Sequence, residues 1–107
     1  MDEILVEDEG WAPDPERLVS DIDTLKAISD PLRLRILEIM VAESRRAWSV
    51  KELAAALGVP VTRLYHHVDL LLERDLVRAA GRRLVSGIVE TRYRVAARSL
   101  RLDRGLF

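Results

Sequence analysis

The strongest constraint on the fold lies in "WSVKELAAALGVPVTRLYHHVDLLLERDLV", residues 48–77. Ser49 and Glu52 stand at the spacing of a capping box, in which each satisfies an amide left open at a helix start. Leu53 and Leu57 give that helix its buried side, and Gly58 supplies a stop. A second helix starts at Pro60 and runs to about Asp75, with Leu64, Val68 and Leu71 inward at i, i+4 and i+7. The three alanines Ala54, Ala55 and Ala56 keep the first helix slim enough for a neighbour to approach closely. Two short helices are thus predicted to turn a tight corner on each other.

That is the layout of a helix-turn-helix, and the flanking sequence extends it. Asp14-Pro15 and Asp30-Pro31 each pair a capping residue with a proline suited to the first helical position. They predict a helix over 14–29, with Leu18, Ile22, Leu25 and Ile28 as its stripe, and a second helix from Pro31 onward. The stripe of that second helix is Leu32, Leu34, Ile36, Leu37, Ile39 and Met40, rich enough for a central position. After Val77 the period drops from 3.6 to about 2. "VRAAGRRLV" and "IVETRYRVA" read as a hairpin turning at Ser86-Gly87, with Val85 facing Ile88, Arg83 facing Glu90, and Gly81 as a candidate bulge. The expected fold class is mainly α with a small β-hairpin. Residues 1–13 form a loose acidic leader anchored by Trp11, residues 14–97 the domain, and residues 98–107 a C-terminal extension.

Charge is distributed unevenly along the 107 residues. Residues 1–24 hold nine acids and one base, a net −8, while the remainder holds sixteen bases and nine acids, a net +7. Residues 77–104 hold eight arginines against Glu90 and Asp103. A basic domain behind an acidic segment points to a polyanion partner, nucleic acid first. The competing reading of the same arginines is a basic face that keeps an edge strand from aggregating.

Several function classes drop out. With no cysteine there is no disulfide framework, thiolate metal site or cysteine nucleophile. Charges interrupt every apolar run, so no membrane span is expected, and the acidic start lacks the form of a secretory signal. A cytoplasmic location is the simplest expectation. His66 and His67 are adjacent, and neighbours on a helix diverge by roughly 100°, so a metal pair is not expected. No catalytic constellation or cofactor site is evident.

Four segments, "LKAISDPLRLRILEIM", "SVKELAAALGVP", "LYHHVDLLLERDLV" and "ETRYRVA", resemble in order those of the ArsR-type bacterial transcription regulators. The resemblance covers residues 24–97. It implies a winged helix-turn-helix that binds double-stranded DNA as a homodimer, as a repressor, with helix 60–75 in the major groove and the 77–96 hairpin as the wing. Arg63 and His66 are the leading base readers, because Arg makes paired bonds to guanine. Thr62 and Tyr65 are candidates for a phosphate or a thymine methyl. Ser49 and Lys51, at a helix N-terminus, are candidates for phosphate contact, and Arg82, Arg83 and Arg92, along the wing, for phosphate or minor-groove contact. His67 is expected to pack on the flank of the buried stripe, and Trp48 to lie in the core under the wing. The rival class is a winged-helix protein-interaction module without DNA binding. Metal sensing through cysteines is not available to this chain.

Overall fold

Three short-range devices set the helices of the computed structural model, which describes residues 3–7 and 12–107. Asp21 caps the first helix, Ile22–Ile28 (α1), accepting from the Thr24 amide at 2.9 Å and the Thr24 hydroxyl at 2.8 Å. Asp30 caps the second, Pro31–Ala42 (α2), accepting from the amides of Leu32 and Arg33. Those amides hold both aspartates below the usual carboxylate range, the Thr24 amide foremost for Asp21 and the Arg33 amide for Asp30. The third helix, Val50–Leu57 (α3), has both arms of the predicted capping box and stops at Gly58 with φ of 69°. The fourth, Val61–Glu73 (α4), starts behind Pro60 with no side-chain cap.

The first helix is shorter than the sequence suggests. It starts at Ile22, and the Asp14-Pro15 pair opens no helix. The Asp14 amide instead donates to the Ala96 carbonyl, and the Asp14 carbonyl accepts from the Arg98 amide. Beyond it, Arg17–Val19 (β2) pairs in parallel with Leu100–Leu102 (β5), so the segment after Ala97 is a strand followed by a short 3-10 turn at Arg104–Leu106. The 18/22/25/28 stripe is therefore broken. Thr24 and Ala27 are the buried residues of α1, and Ile22 is half exposed.

The core joins Ile36, Leu37 and Met40 of α2 to Leu53 and Leu57 of α3 and to Leu64, Val68 and Leu71 of α4. Leu76, Val77, Val95 and Trp48 close it from the sheet side. The predicted α4 stripe is buried completely, whereas in α2 Leu34 escapes to solvent.

Strands Val77–Val85 (β3) and Ile88–Val95 (β4) form the hairpin in the predicted register, Val85 to Ile88 and Arg83 to Glu90. Ser86 and Gly87 both have positive φ, 50° and 78°, as a tight two-residue turn requires. The register slips between Ala79 and Gly81, the expected bulge. A third strand, Glu3–Glu7 (β1), pairs antiparallel with β3, bringing Ile4 opposite Arg83 and Val6 opposite Arg82. The acidic leader is thus in part an edge strand, not a loose tail. Trp11 lies outside the described residues. Among those residues no helix is long and apolar enough to cross a membrane.

Candidate nucleic-acid interface

Burial of Leu64, Val68 and Leu71 fixes the rotation of α4 about its axis. The opposite face then belongs to Thr62, Arg63, Tyr65, His66 and Asp69, all exposed. The structure brings the four proposed base-facing residues together on the first two turns of one helix, with no packing role competing for them. Tyr65 leaves 49% of its surface open although it is a large aromatic side chain.

His67 has a different setting. It is half-buried, and its Nδ1 lies 3.0 Å from Nη1 of Arg33. A guanidinium only donates, so Nδ1 is the acceptor and the ring is neutral with its proton on Nε2. Burial lowers the His67 pKa below its ordinary 6.5; Asp30 opposes that shift and Arg33 adds to it. Arg33 also donates from Nε to the Ala27 carbonyl at 2.6 Å, so this one side chain joins the end of α1 to α4. The two histidine rings stand 5.8 Å apart at 55°, and no group of three or more potential metal ligands occurs among the described residues.

At the start of α3, Lys51 is exposed, but Ser49 is 1% exposed, its hydroxyl taken up by the Glu52 amide. The predicted phosphate contact at Ser49 is therefore reduced to a cap. Arg92 is also turned inward. Its guanidinium donates to Glu52 at 2.5 Å, to Glu90 at 3.0 Å and to the Ala47 carbonyl at 2.9 Å. The reason is its strand position: β4 passes beside the N-terminus of α3, where Glu52 needs a cation. Burial would raise the Glu52 carboxyl, but the Ser49 amide, Arg92 and Arg46 outweigh it and hold it low. Arg92 thus ties the wing to the helix-turn-helix instead of facing a ligand.

Other wing arginines are similarly engaged. Arg78 pairs with Asp75 at 2.9 Å, and Arg94 donates to the Arg45 carbonyl. Arg83 is half-buried in the central strand, and Arg82 is exposed. Arg17 was not singled out by sequence reasoning, yet it donates to the carbonyls of Arg74 and Asp75, at 2.5 and 2.7 Å. It closes the C-terminal end of α4, where Asp75 takes a positive φ of 56°. Cations suit that end of a helix, but 57 residues of separation hide the pairing from any local pattern.

Between α4 and the wing lies a cleft of about 350 Å³, lined by Lys51, Tyr65, Asp69, Ile88, Val89 and Glu90 among others. A second groove of about 480 Å³ is almost wholly apolar and runs along α2, with Leu34, Leu37, Val41, Leu76, Ala97 and Leu100 on its walls.

Residues 28–79 match the helix-turn-helix domain family. Among solved structures, the chain is similar to reduced HlyU from Vibrio cholerae N16961, at 24% identity and TM-score 0.56, over 71% of this chain and 72% of that one. It is also similar to a possible transcriptional regulator from Methanosarcina mazei Go1, at 16% identity and TM-score 0.59, over 68% and 62%. Rv0081 of M. tuberculosis matches at 30% identity and TM-score 0.52, over 68% and 66%. The chain thus spans slightly less than two thirds of the length of the last two. No curated protein matches significantly. With the four helices, the hairpin after the second helix of the pair and these neighbours taken together, the chain has the winged helix-turn-helix fold.

Proposed function

We propose that the chain is a sequence-specific regulator of transcription that binds double-stranded DNA, of the ArsR type, acting in the cytoplasm as a homodimeric repressor. The observation that carries this reading is the outward face of α4. Its buried side is completely satisfied by the core, so Thr62, Arg63, Tyr65 and His66 are held at fixed positions with their polar groups toward solvent. A helix about 10–12 Å across fits a major groove about 12 Å wide. Arg63 is the guanine reader, His66 a second hydrogen-bonding reader, and Thr62 and Tyr65 contact a phosphate or a thymine methyl. Lys51 and Arg82 are the backbone contacts, with Arg83 beside them on the central strand. Asp69 and Glu90 on the walls of the cleft disfavour a phosphate deep inside it, which leaves such contacts to the rim. The solved neighbour described as a possible transcriptional regulator is consistent with this reading.

The second reading, a protein-interaction module, has one observation in its favour: the apolar groove along α2. Binding to random duplex at low salt separates the two. A DNA binder shows non-specific affinity that falls linearly on a log–log plot against salt. The proposal expects that slope; no measurable duplex binding at low salt would favour the module.

A further inference from the structure

The cleft between α4 and the hairpin has a chemistry of its own. Tyr65 and Asp69 line it from α4, and Ile88, Val89, Glu90 and Tyr93 from β4. Tyr65, Ile88 and Val89 are large apolar side chains left 49%, 70% and 52% exposed, and this one space gathers all three. Its volume of about 350 Å³ falls in the range of roughly 300–1,000 Å³ typical of small-molecule sites. The two acids on its walls differ in what already holds them. Glu90 accepts from Arg92 at 3.0 Å. The Asp69 carboxylate makes no hydrogen bond or ion pair among the described residues, and Lys51, on the α3 side, pairs with neither acid. Burial, and after it the Asp69 charge, raises the Tyr93 pKa above its ordinary value, so the phenol keeps its proton and stands near the free carboxylate.

We propose that this cleft binds a small organic cation, an aryl- or alkylammonium, with Asp69 as its counter-ion, the rings of Tyr65 and Tyr93 beside its charged end, and Ile88 and Val89 over its carbon body. A free carboxylate supplies the charge, and aromatic faces attract a cation further, most of all one with little water to lose. Anions are disfavoured by the same two acids. A divalent metal ion is poorly served, because no group of three or more potential ligands occurs among the described residues. The site goes beyond the DNA-binding reading and depends on it only for its consequence. Tyr65 belongs both to the cleft and to the proposed DNA-facing surface of α4, so a ligand that holds its ring withdraws it from the duplex. Ligand and duplex should then weaken each other by the same factor, since coupling between two sites is reciprocal.

The test titrates benzyltrimethylammonium, benzyl alcohol and benzoate into the full chain, without DNA, and follows backbone amide shifts by NMR. The cation should bind with a Kd on the order of 1 mM or below and move the amides of Tyr65, Asp69 and Tyr93. Benzyl alcohol and benzoate should bind at least about fivefold more weakly. Asp69→Asn should weaken the cation about tenfold and leave benzyl alcohol unchanged. Asp69 is exposed, so its replacement should not move the melting temperature. Benzoate binding as well as the cation, shifts centred elsewhere, or a cation affinity indifferent to Asp69→Asn would overturn the inference. In a second arm, saturating benzyltrimethylammonium should weaken binding to duplex in the parent chain and not in Asp69→Asn. Equal duplex affinity with and without the cation would overturn the link through Tyr65. A parent chain that binds the cation and no duplex would support the site and count against the DNA-binding reading.

Discussion

Arg63, His66 and His67 occupy neighbouring positions but different environments. Arg63 and His66 are both exposed on α4, so their replacement should alter binding and leave folding intact. Arg63→Ala should cost roughly 1–3 kcal/mol on the preferred site and relax the choice of base at one position. Equal loss on every sequence would make it a phosphate contact. His67 has the opposite profile. Its Nδ1 accepts from Arg33, and its folded-state pKa lies below the unfolded value of 6.5. Because the unfolded chain then binds a proton more readily, stability is complete above 6.5 and falls as pH drops below it. Carboxylates titrate lower, so a decline in urea-unfolding free energy as pH falls below 6.5 is the expected signature of His67. His67→Asn should lower the melting temperature and flatten that part of the profile, whereas His66→Ala should leave the melting temperature unchanged. A slope that survives His67→Asn would contradict the assignment.

At the scale of elements, α4 is positioned by long-range ties as much as by its buried stripe. Arg33 fixes it to α1 through His67, Arg17 closes its C-terminal end, and Arg92 fastens the wing beside α3. Arg92→Ala leaves Glu52 without its nearest cation and opens a gap under the wing. Since the Glu52 side chain is still 36% exposed, the cost should be about 1–3 kcal/mol, below the full value of a buried pair. Chemical denaturation would measure it, and a change under a few tenths would mean that solvent screens the tie. This level also shows what a sequence can disclose. The capping box, the α4 stripe, the turn at Ser86-Gly87 and the bulge near Gly81 all depend on residues within a few positions of one another, and each was legible. The β2–β5 pair was not, because Arg17 meets Leu100 only after the whole domain has folded between them. Asp14-Pro15 imitated the helix start that Asp30-Pro31 provides; only tertiary pairing distinguishes them. Among the site residues, exposure of Thr62, Arg63, Tyr65 and His66 followed from helical period. The inward turn of Arg92 did not, since a strand's alternation gives its face but not its partner.

Over the whole molecule, the uneven charge acquires a geometry. The acidic segment does not trail away: its residues 3–7 run along β3, in register with Arg82 and Arg83. Glu3 and Glu7 thus stand opposite Leu84 and Gly81, on either side of Arg82 and Arg83 in the register, and charges act over a Debye length of about 8 Å at physiological salt. Such a strand competes with phosphate, and it should weaken non-specific binding most because that binding is almost wholly electrostatic. Removing residues 1–10 should tighten binding to random duplex at low salt, with the difference shrinking as salt rises. Equal affinity throughout would leave β1 as a cover for the wing edge and nothing more. All of this depends on one claim, that the outward face of α4 reads base sequence. The direct measurement is selection of bound sequences from a random duplex pool, run in parallel with the parent chain and with Arg63→Ala. The parent chain should enrich a defined site, and Arg63→Ala should lose preference for one guanine within it while keeping the rest. A pool that stays random with the parent chain, or an enriched site indifferent to Arg63, would contradict the account.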